Sequence, residues 1–130
     1  LVVERGDVEP EGLLELMRKF GEWFQSEPQA TQARLALAGT RAHPAIVDAF
    51  RRCCARREAC EWSCRVIGQA SKGSVDNAVA FVGCNAAAEI CRALERFRVD
   101  RDVQRHGLFA IGCLAHFGGG AAQANAAGAH

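Results

Sequence analysis

Tyrosine is absent from this sequence, methionine occurs once and proline three times. The signals of a β-sheet are nearly missing too. There are few alternating β-branched runs, and no Asn-Gly or Asp-Gly pair to close a two-residue hairpin. Charge of a dominant sign is lacking: 16 Lys and Arg face 15 Asp and Glu, for a net +1. No global field therefore points to nucleic acid or an anionic membrane. No apolar run reaches the roughly 18 residues that a spanning helix needs, and no signal peptide is visible. Catalytic signatures are missing as well: there is no G-x-S-x-G, P-loop, helix-opening G-x-G-x-x-G or H-E-x-x-H. "HFGGGAAQ" follows a helical pattern without a Lys or Ser to hold phosphate, and reads as a turn between helices.

What is present is ordinary for one globular domain. The chain has 130 residues, 49% of them hydrophobic and 24% charged. The first residue is Leu1, and a longer parent chain is expected. Seven cysteines are an odd number, and Cys64, Cys84, Cys91 and Cys113 lie among Ala, Val, Ile and Gly. In that setting a thiol acts as a small hydrophobe. Reduced thiols in an intracellular compartment, cytoplasmic or nuclear, are expected.

The remaining signals say helix. Ile46, Val47, Ala49 and Phe50 recur at three- and four-residue spacing, as do Ile90, Ala93, Leu94 and Phe97, and Leu108, Ile111, Leu114 and Ala115. Pro10, Pro28 and Pro44 suit helix starts. Asp76, Asp102 and Ser26 suit caps or first-turn acids, and Gly39, Gly73 and Gly83 suit stops. The spacing predicts helices at about 10–25, 29–38, 44–55, 57–71, 74–82, 85–98 and 101–117. A short one is expected at about 120–128.

These helices repeat. "VIGQAS" from Val66 and "AIGCLA" from Ala110 place Gly68 and Gly112 44 residues apart (112 − 68 = 44), and Gly21 opens a third copy. Gly39 and Gly83 precede similar helices at the same interval, and Gly128 falls in step beyond them. Each unit reads as a short helix, a medium helix, a polar turn and a longer helix. A period in the 40s is the signature of a HEAT or armadillo solenoid, whose units bury their apolar stripes only against neighbours. Gly68 and Gly112 are expected where a neighbouring helix comes too close for a side chain.

"TQARLALAGTRAHPAIVDAF" and "NAAAEICRALERFRVDRDVQRHGLFAIGCLA" resemble armadillo repeats. The first has the short helix followed by Gly and Pro, with a small insertion between Gly39 and Pro44. The second has the Asp-x-x-Val-Gln start of the third helix, Asp100 to Gln104, and the Ala-Ile-Gly-x-Leu-Ala ending. The resemblance implies an all-α, right-handed α-solenoid forming one domain within a larger armadillo-repeat protein. It places a partial repeat at about 1–28, repeats at about 29–72 and 73–118, and the start of another at about 119–130.

The resemblance also implies a concave groove lined by third helices. Where the family often has Asn after the Gly, this chain has Glu22, Gln69 and Cys113. The family's Trp positions hold Arg18, Arg65 and Phe109, and Glu61 and Arg105 lie one turn earlier. Only Gln69 can imitate the Asn clamp on a peptide backbone, so capture of Lys-rich segments is disfavoured. The arginines suit an acidic or phosphorylated segment, although Glu61 and Arg65 at i and i+4 can also simply pair along the helix.

Three further features have a bland and a sharp reading. Cys53, Cys54, Cys60 and Cys64 lack paired zinc knuckles and a neighbouring His, which favours core or half-exposed thiols over metal. Arg41, Arg51, Arg52, Arg56 and Arg57 form a basic cluster without interleaved aromatics, which favours a solvated turn over a nucleic-acid contact. Trp62 suits either the core or an exposed anchor near the groove. The expected function is therefore a non-enzymatic protein-interaction scaffold with no cofactor or metal and no membrane insertion. A nucleic-acid-binding solenoid is the alternative. Exposed repeat ends are expected to favour self-association.

Overall fold

The computed structural model describes residues 10–119. Within them the chain forms seven helices and no strand: α1 (Pro10–Trp23), α2 (Gln29–Ala38), α3 (His43–Arg52), α4 (Arg57–Ser71), α5 (Val75–Gly83), α6 (Ala86–Arg96) and α7 (Arg101–Phe117). The all-α class expected from the apolar spacing is what the structure shows. The helix expected at 120–128 lies outside the described residues, as do residues 1–9.

Bounds follow local chemistry. α2, α4 and α7 begin and end where the apolar spacing placed them, whereas α1, α3 and α6 stop short. α1 ends as Phe24 and Gln25 turn their amides back onto the carbonyls of Gly21 and Glu22. α3 ends at Arg52, where the amide and thiol of Cys53 both donate to the carbonyl of Ala49. Pro10 opens α1, Pro28 is the N-cap of α2 and Pro44 is the second residue of α3. Gly39 caps α2, and Gly73 follows α4 at φ +70, but Gly83 is the last helical residue of α5 rather than a stop beyond it. The side-chain caps are Ser74, which accepts from the amide of Asn77, and Asp100, which accepts from that of Val103.

The helices stack in register. α2 touches α5, α3 touches α6 and α4 touches α7. α1, α4 and α7 run side by side and parallel. Their N-terminal ends meet through Glu11–Arg56 at 3.3 Å and through Arg57–Asp100. Further along, Gly21 lies under Trp62, and Gly68 lies under Phe109 and Ala110. The core threads this stack through Ile46, Phe50, Val66, Ile67, Phe81, Ile90 and Val103, all essentially sealed from water.

The two seams share one device. A Cβ on Gly21 would stand 2.5 Å from the Trp62 ring, and one on Gly68 would stand 2.8 Å from the Phe109 ring and 3.2 Å from the Cα of Ala110. In both, an aromatic 41 residues further along the chain occupies the room that a side chain would need (62 − 21 = 41; 109 − 68 = 41). Gly112 departs from the expectation. Nothing lies within 4 Å of its missing Cβ, because no further helix covers that side of α7 among the described residues. Gly107 is instead the tight position on α7, 2.5 Å from Leu94.

A buried polar joint locks the layers together. Asn77, fully buried, donates to the carbonyls of Arg34 and Ala70 at 3.0 Å each. Its Oδ1 accepts from Nε2 of the buried His43 at 2.8 Å, while the His43 ring packs edge-on against Phe81. One amide thereby ties α2, α3 and α4 to α5, and each of its four hydrogen-bonding positions but one is used. Gln104 does a similar service at the end of α6, donating to the carbonyls of Leu94 and Phe97 at 2.8 and 2.9 Å.

The same substitution at the two echoing glycines should have opposite signs. Gly68→Ala is expected to cost about 1–2 kcal/mol, because ring and backbone must both give way. Gly112→Ala, on an open helix face, is expected to gain about 0.5–1 kcal/mol from helix propensity. Urea midpoints of the two variants measure both.

Candidate functional site

α4 is the middle member of the parallel row and is packed on nearly every side. Ala59, Cys60, Ser63, Cys64, Val66, Ile67, Gly68, Ala70 and Ser71 are buried. Its less buried positions include Arg57, Glu61, Arg65 and Gln69, one stripe at four-residue spacing. That stripe, with the flanking faces of α1 and α7, is the surface where the resemblance placed a groove.

The predicted site residues reach it unequally. Arg18 lies on the α1 side, paired with Glu15 at 3.1 Å and Glu58 at 3.5 Å. Glu22 is exposed near the end of α1. Glu61 is held between Arg57 at 2.9 Å and Arg65 at 3.5 Å, so the i, i+4 pairing expected along α4 is present. The guanidinium of Arg65 also lies 4.2 Å from the centre of the Trp62 ring. Arg105 is exposed on α7 and paired with Asp102 at 3.2 Å. Phe109 is spent on the Gly68 notch but keeps an exposed edge. Cys113 is buried, which raises its thiol pKa, and it lies near enough to Lys72 and Arg34 for their charges to oppose that rise.

Arg65 and Gln69 share a hollow of about 340 Å³ that crosses the row. Its walls come from α1 (Gly21), α2 (Ala30, Arg34), α4 (Arg65, Gln69, Lys72) and α7 (His106), with Phe24, Gln25, Ser26 and Glu27 from the turn after α1. Arg34 and Lys72 carry much of its charge, and neither stood out in the sequence. Arg34 falls on a helix with little apolar periodicity, and Lys72 just past the end of α4, so no linear spacing joins them to Arg65. Arg34 is oriented from both ends: its Nε donates to the carbonyl of Gln69 at 2.7 Å, and it pairs with Glu27 at 2.8 Å. Thr31 and Arg34 together hold the Glu27 carboxyl below its usual range. His106 lowers its affinity for a proton mainly through burial, with Arg65 and Arg105 adding to the effect, and its Nε2 is buried with no hydrogen-bond partner.

The basic cluster is largely neutralised. Arg51 and Arg52 both pair with Asp48, Arg51 also approaches Glu89 at 4.0 Å, and Arg56 pairs with Glu11. Arg57 grips Asp100 through Nε and Nη2 and reaches Asp102 at 3.8 Å. That grip, with the amide of Val103, holds the Asp100 carboxyl down at about 2. Trp62 is half-buried and packs against the core, with Gly21 against its ring and the Arg65 guanidinium over it.

The cysteines do not converge on a metal. Among the described residues no group of three or more His, Cys, Asp or Glu side chains comes together. Burial raises the thiols of Cys53 to about 11, Cys60 to about 12 and Cys64 further still, whereas Cys91 is exposed. Among the described residues no helix is long and apolar enough to cross a membrane. No family model, curated protein or solved structure matches the chain.

Two outcomes follow. Because Asp100 has a depressed pKa, its stabilisation is full above 3.8 and lost as pH falls towards 2. Asp100→Asn should therefore lower the melting temperature at neutral pH and flatten the acid limb of the stability profile, read by circular dichroism. Under native conditions near pH 8, a thiol reagent should modify Cys91 quickly and leave Cys53, Cys60 and Cys64 untouched until urea unfolds the chain.

Proposed function

We propose that the chain is an armadillo-like, right-handed α-solenoid with repeats at about 29–72 and 73–118, acting as a protein-interaction scaffold. Its partner is an extended, acidic segment laid across α1, α4 and α7. The reading rests chiefly on the hollow that crosses three parallel helices with Arg65 and Gln69 on its floor. The pairwise stacking of α2 on α5, α3 on α6 and α4 on α7 supports the repeat. Binding rather than catalysis is the activity, without cofactor or metal, and the free thiols suit a reducing compartment, cytoplasmic or nuclear.

The nucleic-acid reading is disfavoured by the same geometry, because Arg51, Arg52, Arg56 and Arg57 already have carboxylate partners. Self-association is supported by apolar surface at the two ends of the row. Trp23 is half-exposed beside an apolar cavity of about 410 Å³ lined by Leu16, Phe20 and Leu37, while Leu108 lies bare on α7.

A fluorescent peptide array separates these readings. Acidic ten-residue peptides should bind and basic ones should not, with about a tenfold loss, or 1.4 kcal/mol, in an Arg65→Glu, Arg105→Glu double variant. Arg98→Glu, in the turn between α6 and α7, should change nothing. Equal binding of acidic and basic peptides, or salt-sensitive binding of RNA in their place, would overturn the scaffold reading.

A further inference from the structure

We propose that the hollow beneath α2 is a receptor for a phosphoryl group on a partner side chain, with Arg34, Arg65, Gln69 and Lys72 as its donors. The inference rests on the scaffold reading for the origin of the phosphoryl group but not for the pocket itself. Four features of the hollow lead to it.

The donors arrive from separate directions. Arg34 comes from α2, Arg65 and Gln69 from successive turns of α4, and Lys72 from just past the end of α4. A carboxylate has two oxygens and is satisfied by one fork. A phosphoryl group has three, and suits several separate cationic heads with an amide between them. The orientation is built before any ligand arrives, since Arg34 is fixed by the Gln69 carbonyl and Glu27, and Arg65 by Trp62 and Glu61. Pre-set donors lower the ordering cost of binding.

The charge balance also favours a strong anion. Glu27 and Glu61 offset Arg34 and Arg65. Lys72 is exposed, with no ion pair among the described residues, and leaves the hollow one positive charge in excess. His106 supplies the fourth feature. It lines the hollow with Nε2 buried and unpartnered, in a setting of Arg65 and Glu61 from α4 and Arg105 and Asp102 from its own helix. A dianion held beside it would draw a proton onto the ring, so its titration reports occupancy.

The test is NMR titration of the full chain with inorganic phosphate and with three short peptides that differ at one position: phosphoserine, serine or glutamate. Phosphate and the phosphoserine peptide should shift the amides of Gln69, Lys72 and His106 saturably and raise the pKa of His106. The phosphoserine peptide should bind about tenfold tighter than either of the others. Lys72→Ala, at an exposed side chain with no ion pair among the described residues, should weaken phosphate and phosphopeptide by about five- to tenfold with unchanged circular dichroism. No saturable shift at those residues, equal affinity for the glutamate peptide, or indifference to Lys72→Ala would overturn the pocket. Acidic-peptide binding that survives Lys72→Ala would keep the scaffold and reject the phosphoryl receptor. A response to phosphate without binding of any peptide would do the reverse.

Discussion

An aromatic ring laid into a glycine notch is the contact on which the layered arrangement depends. Trp62 fills the space that a side chain at Gly21 would take, and Phe109 does so at Gly68. Each ring brings a large apolar area to a seam where the two backbones approach closely. A notch without its ring would leave a void along the seam; a ring without its notch would hold the helices apart. The pairing therefore sets the spacing between layers, and with it the width of the surface across α1, α4 and α7.

Charge does complementary work at the other end of the same helices. Arg57 and Asp100 join the starts of α4 and α7, while Glu11 and Arg56 join those of α1 and α4. Such half-exposed pairs add little stability singly. Their value is register, because a slip by one turn would part these pairs as well as lift each ring from its notch. Asn77 enforces the same register from inside, where a displaced amide would leave two carbonyls and an imidazole unpartnered.

Much of the architecture was legible in the sequence because apolar spacing and repetition are linear signals. Residues 57–71 and 101–117 form helices as their periodicity implied, 29–38 does so between the Pro28 start and the Gly39 stop, and the echo between Gly68 and its successor marked the long helices as equivalent. The echo overreached at Gly112, since identical residues do different work when, among the described residues, only one has a neighbouring layer. Asn77 gave no linear hint; an Asn near a helix start reads as a local cap, and its partners lie 34 and 43 residues away. The candidate site was half legible. Arg65 and Gln69 share a helical stripe, but Arg34, Lys72 and His106 join them only through tertiary packing.

The confinement of α4 has an evolutionary corollary. With Arg57 tied to Asp100 and most of that helix committed to packing, Glu61, Arg65 and Gln69 form the stripe along which it can vary cheaply. A lineage could retune what the surface recognises by exchanging those side chains one at a time, leaving the scaffold that presents them intact. Affinity and foldability would then be inherited on separate letters of the same helix.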